Sequence, residues 1–163
     1  MSEFETVRFG ALNVPDDEQI EFVRGVLGFE KLRRFVHLQV EEEAPFGWLQ
    51  SLEDPQVAFV VANPAAFFPH YAIEIDPREL GDARPEPNER LEILGICTIP
   101  DSFSEISMNL LGPVVINAAT RKGKQLVLNR SAYSTQHKLT DPAPQAEVAP
   151  AKEPHHRSVR TPA

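Results

Sequence analysis

Apolar and polar residues alternate with a period of two through most of the first 130 positions, the spacing of strands with one buried face. The pattern predicts strands over 4–9, 19–24, 34–40, 46–51, 57–62, 71–75, 89–99, 114–119 and 125–129. In 34–40, Phe35, His37 and Gln39 fall on one face and Val36, Leu38 and Val40 on the other. Between the strands lie breakers: Pro15-Asp-Asp, Glu53-Asp-Pro55, Asn63-Pro64, Asp76-Pro77, Pro85-Glu-Pro87, Gly112-Pro113 and Lys122-Gly-Lys124. Short strands with such punctuation indicate an all-β barrel or sandwich. Helical windows are limited to 77–84 and 29–33, one or two turns each, because Pro15 and the Pro85–Pro87 pair oppose anything longer.

The segment 89–99 carries the most information of these strands. Leu91, Ile93, Gly95, Cys97 and Ile99 share an apolar face, while Glu92, Leu94, Ile96 and Thr98 share a half-apolar one. Two partly apolar faces predict a central strand, and Gly95 within it marks a bulge or a close backbone approach. Cys97, the only cysteine, reads as a buried inert thiol, with no cation beside it in sequence to stabilise a thiolate.

Length adds one boundary. A chain of 163 residues is enough for one domain, expected over 1–140. Beyond it, 141–163 is rich in proline and lacks aromatics and periodicity. That composition predicts a disordered tail, with His155 and His156 as a solvated pair. The N-terminus has no basic and apolar leader, and a lone cysteine suits a reducing compartment, so a cytoplasmic protein is expected.

The net charge of −8 is unevenly spread. Residues 1–105 carry −13, residues 106–140 carry +5, and 141–163 is neutral. An acidic surface repels phosphate backbones. It either keeps the protein soluble or meets a basic protein partner.

Candidate chemistry is sparse. Glycine-rich phosphate loops, a Gly-x-Ser-x-Gly elbow, His-Glu-x-x-His and Cys-x-x-Cys are all missing from the sequence. His37, His70 and His137 sit on three separate segments, and Glu41-Glu-Glu43 reads as a solvated loop. Neither a catalytic residue nor a cofactor or metal ligand is assigned, and the chain reads as a non-enzyme. Two aromatic clusters, Pro45-Phe-Gly-Trp48 and Phe67-Phe-Pro-His-Tyr71, either fill the core or anchor an interface. Asn109 and Asn117 bracket the Leu-Leu-Gly-Pro turn, where their amides either tie the loop or face a partner. A basic stretch over 121–130 leaves open a small RNA-binding β module.

Four blocks occur in one order: Gly25-Val-Leu-Gly-Phe-Glu30, Pro45-Phe-Gly-Trp-Leu-Gln-Ser51, Asp54-Pro-Gln-Val-Ala-Phe-Val-Val-Ala-Asn-Pro64 and Ser107-Met-Asn-Leu-Leu-Gly-Pro-Val-Val-Ile-Asn117. Over roughly 4–140 the chain resembles the FliW family of flagellar assembly factors. The resemblance implies a small, irregular, barrel-like (pseudobarrel) β domain without catalytic activity. It further implies two protein partners. One is CsrA, the dimeric RNA-binding repressor of flagellin translation, which such proteins antagonise. The other is newly made flagellin, which they bind in a chaperone-like way and which competes for them. Direct nucleic-acid binding and membrane association are not expected. Phe46, Gln50, Ser51, Asn109, Leu110 and Asn117 are the candidate partner-binding or interface-shaping positions.

Overall fold

A computed structural model describes residues 2–39, 45–100, 105–128, 133–139 and 158–160. Its strands are β1 (Ser2–Thr6), β2 (Gly10–Val14), β3 (Gln19–Phe22), β4 (Arg34–Leu38), β5 (Phe46–Ser51), β6 (Ala58–Ala62) and β7 (Ala72–Glu74). They continue as β8 (Leu91–Thr98), β9 (Ser107–Met108), β10 (Val114–Asn117), β11 (Lys122–Gln125), β12 (His137–Lys138) and β13 (Ser158–Arg160). The helical content among these residues is three 3₁₀ segments: Asp16–Glu18, Pro64–Ala66 and Pro77–Ala83.

The order β10-β11-β3-β4-β5-β6-β8 returns to β10, because β8 and β10 also pair. Seven strands therefore close a barrel, which removes the open edges of a sheet. All its pairings are antiparallel except β11 with β3. The lumen follows from the alternation. Ile20, Phe22, Phe35, Leu49, Val61, Leu94, Val114 and Ile116 form one buried cluster, to which every barrel strand but β11 contributes. β11 instead supplies Gly123, whose missing side chain lets Ile116 and Ile20 close over it.

Two layers cover the outside. The β1–β2 hairpin lies over β4 and β5, where Val14, Val36 and Leu52 are buried with Phe4, Leu12 and Leu38 around them. The segment from Pro64 to Ala83 covers β6, β8 and β10. Here Phe68, Tyr71, Ile73, Ile75 and Leu80 pack on Ala62, Ile93, Cys97 and Val115. β8 is thus buried on both faces, as its two apolar faces predict. At Gly95 a Cβ would collide with the Met108 side chain of β9, so the glycine is a close-approach position.

Several features of the sequence reading change. The strand expected over 4–9 ends at Thr6 and turns into a second strand, β2, with the Thr6 hydroxyl donating to Gly10 O (2.8 Å) and accepting from Phe9 N (2.9 Å). The basic stretch 121–124, expected as a turn, is mostly β11. The reversal is made earlier, where the Asn117 side chain accepts from Ala119 N (2.9 Å) and Thr120 N (3.2 Å), and Arg121 takes a left-handed φ of 62°. The strand expected over 125–129 accordingly starts at Lys122, although Leu126 N and Leu128 N still donate to Pro113 O and Leu111 O. The window 29–33 is a turn rather than a helix, whereas 77–84 keeps its expected helical turns as a 3₁₀ segment, Pro77–Ala83, broken at Gly81. Within 141–163 the described residues are 158–160, which form β13 and pair antiparallel with β7. Glu41–Glu43, Arg130 and the rest of 141–163 lie outside the described residues.

Candidate protein-interaction surface

The six residues singled out by sequence are spread over three places, and most work inward. At the β5–β6 turn, Gln50 and Ser51 have no exposed surface. The Ser51 hydroxyl accepts from Glu53 N (3.0 Å) and Asp54 N (2.9 Å), which shapes the Asp54-Pro55 turn. The Gln50 amide donates to Ser51 O (2.9 Å) and Val57 O (3.2 Å), clamping the turn from below. After β9, the Asn109 carbonyl accepts from Leu111 N (3.0 Å) and Gly112 N (2.8 Å), an Asx turn of the kind its side chain favours. Leu110 is buried, and its backbone oxygen receives the Tyr71 hydroxyl at 2.8 Å. At the end of β10, the buried Asn117 amide donates to Ala83 O (3.2 Å) and to the Glu89 carboxylate (3.0 Å). That hydrogen bond, first among several causes, holds the Glu89 carboxyl below its ordinary pKa.

Gln50, Ser51, Leu110 and Asn117 therefore set the shape of loops and present no side chain to a partner. Phe46 and Asn109 are half-buried and do reach the surface. Phe46 lies against Phe67 at 5.4 Å between ring centroids. Of the aromatic clusters, Phe68 and Tyr71 belong to the core, while Trp48 is half-buried beneath the Arg8 guanidinium at 4.6 Å.

The surface that sequence reasoning missed is the turn 25–30. Leu27 is 58% exposed and Phe29 40%, both large and apolar. The turn holding them is pinned by hydrogen bonds and a ring contact. Gly25 and Gly28 take φ of 79° and 88°, Phe29 N donates to Val26 O (2.7 Å), and Leu27 N donates to the Gln125 side chain (2.9 Å). Phe29 also meets Phe59 edge-on at 5.2 Å, which fixes its ring. Apolar residues inside and directly after the Gly25-Val-Leu-Gly28 turn were the available signal.

The lumen ends in polar groups. His37 follows Phe35 on the inner side of β4, and Glu92 precedes Leu94 on that of β8. Burial lowers the His37 pKa most, with Arg121 lowering it further and Glu92 opposing. Arg121 Nε is buried without a hydrogen-bond partner. Beside it a cavity of about 360 Å³ is lined by both signs of charge, including Asp17, Glu21, Arg34 and Lys122. Among the described residues no three His, Cys, Asp or Glu side chains converge as metal ligands. Cys97 is buried and its thiol is pushed up to about 12 by desolvation. The basic stretch is engaged internally as well: Lys122 pairs with Glu21 at 3.2 Å and Lys124 donates to Glu79 O. No helix among the described residues is long and apolar enough to cross a membrane.

Comparison with known proteins covers this same body. A family model described as "FliW protein" matches residues 3–139. The "Flagellar assembly factor FliW" of Heliobacterium modesticaldum is 38% identical over 135 residues, covering 83% of this chain and 88% of that protein. The protein of that name from Treponema denticola is 36% identical over 137 residues, 84% of this chain and 92% of its own length. A crystal structure of the flagellar assembly factor FliW superimposes with a TM-score of 0.79 at 31% identity, covering 86% of this chain and 98% of that one. The closed barrel with its two outer layers and the match over nearly all of it make this chain a member of the FliW family.

Proposed function

We propose that the chain is a flagellar assembly factor that binds CsrA, antagonises its repression of flagellin mRNA translation, and holds flagellin as a chaperone-like partner in the cytoplasm. Family membership across residues 3–139 carries this reading. Two physical features support it. The hydrogen-bonded turn presenting Leu27 and Phe29 is built like an interface anchor, apolar and exposed. The charge of −13 over residues 1–105 suits a basic, RNA-binding partner. An acidic body docked on such a partner opposes RNA by repulsion between carboxylates and phosphates, an effect that salt weakens.

The test is capture from an extract of a flagellated host on the immobilised chain. Flagellin and a small basic RNA-binding dimer are expected together or in competition; recovery of neither contradicts the reading. Glu41–Glu43 belong to the acidic half. Reversing their three charges is expected to weaken antagonism at low salt, and unchanged RNA release would remove them from the mechanism.

A further inference from the structure

β7 is a three-residue strand fixed from below and open to the side. Ile73, with its neighbours Tyr71 and Ile75, is buried in the core cluster over β8 and β10. Among the described residues, β13 is the one strand that pairs with it. The register sets Ser158 opposite Glu74, Val159 opposite Ile73 and Arg160 opposite Ala72. Half-buried Tyr133 flanks β7: its ring meets that of buried Tyr71 at a tilt, 4.7 Å between centroids, and its hydroxyl reaches Ala72 O at 3.4 Å.

The two sides of this pairing differ in kind. β7 is anchored by buried side chains on a closed barrel. β13 contributes three residues and is tethered through 18 chain positions, 140–157. Closing a loop of that length costs entropy, and three residue pairs return little against it. Exposed strand edges invite pairing by other chains, and proteins commonly cover them. The two segments also differ in charge along the sequence. The segment His155-His-Arg-Ser-Val-Arg160 is basic around one apolar residue, and β7 leads into Glu74, Asp76, Glu79 and Asp82.

We infer that the β7 edge is a strand-acceptor site for an extended, basic protein segment with an apolar residue at its centre. The chain's own residues Ser158–Arg160 occupy it in cis and yield to such a segment from a client. Recognition is through main-chain hydrogen bonds, as in other strand additions, so it tolerates varied sequences. The inference rests on the protein-binding reading above, but its test needs neither flagellin nor CsrA.

The probe is a fluorescently labelled peptide of residues 155–163, titrated into the full chain and into two full-chain variants. Alternate residues of β13 point their N–H groups at β7, so Val159→Pro and the double variant Ser158→Pro/Arg160→Pro together remove either set of donors. At least one variant is expected to bind the peptide saturably and tenfold or more tighter than the unaltered chain, whose tethered strand competes at high effective concentration. In that variant, amide exchange at 72–74 should quicken without peptide and slow again with it. Equal binding to all three proteins, or to none, overturns the proposal, as does unchanged exchange at 72–74 in both variants. Loss of this site leaves CsrA and flagellin capture untested, and loss of that capture leaves this site standing.

Discussion

Replacing Asn117 with alanine separates a structural amide from a contact residue. The side chain is fully buried and makes four hydrogen bonds, to Ala83 O, Glu89, Ala119 N and Thr120 N. Ala119, Thr120 and Glu89 reach solvent and can be rehydrated, whereas Ala83 is buried. Losing the buried partner costs roughly 1–3 kcal/mol, and the three others about 0.5 kcal/mol each once water replaces them. The sum is a loss of about 3 kcal/mol of unfolding free energy. Urea unfolding followed by the single tryptophan, Trp48, reads it directly. Asn117→Asp should be worse at neutral pH, because a second carboxylate then faces Glu89, and should regain stability as acid protonates the pair. Partner affinity measured well below the unfolding midpoint should stay within about threefold for either variant. A stability loss below about 1 kcal/mol, or a large affinity loss in a fully folded variant, would refute the reasoning.

Other perturbations follow from the same geometry. Gly95→Ala should cost about 1–3 kcal/mol by overpacking against Met108, and a double-mutant cycle with Met108→Ala should show a coupling near 1 kcal/mol. Gly25→Ala should cost about 1–3 kcal/mol, since φ is 79° and a Cβ would sit 2.7 Å from Glu30 Cα. Leu27→Ser, at a 58% exposed position, should change stability by less than about 1 kcal/mol while weakening capture of a protein partner tenfold or more. His37 has a pKa below its ordinary 6.5 in the folded chain, so the unfolded chain takes up the proton first. Stability is therefore full above that value and falls as pH drops through it, and His37→Gln should flatten the slope between pH 7.5 and 5.5 in urea titrations.

Much of the barrel was legible because its strands bury side chains on a regular period. β8 stood out since Ile93 and Cys97 serve one core while Leu94 and Ile96 serve another. β11 did not, because Lys122-Gly-Lys124 has no apolar residue to reveal it. Its place is fixed by backbone bonds to β3, such as Glu21 N to Arg121 O and Val23 N to Gly123 O, which leave no mark on composition. β9 and β12 are two residues each, too short for a period. The candidate positions show the matching limit for function. Asparagine, glutamine and serine at Asn117, Gln50 and Ser51 announced hydrogen bonding, but sequence does not say whether an amide bonds its own loop or another protein. Leu27 and Phe29 lay inside a block already noticed, and only their exposure distinguishes an anchor from a core residue.

The most direct test of the central claim, that this barrel works by occupying other proteins, is RNA release in a purified system. A labelled flagellin leader RNA is bound to CsrA, and the chain is titrated in at low salt. Release of the RNA, reversed when flagellin is added, is the result this account expects. RNA that stays bound at saturating chain, or release that flagellin leaves unaffected, would contradict it.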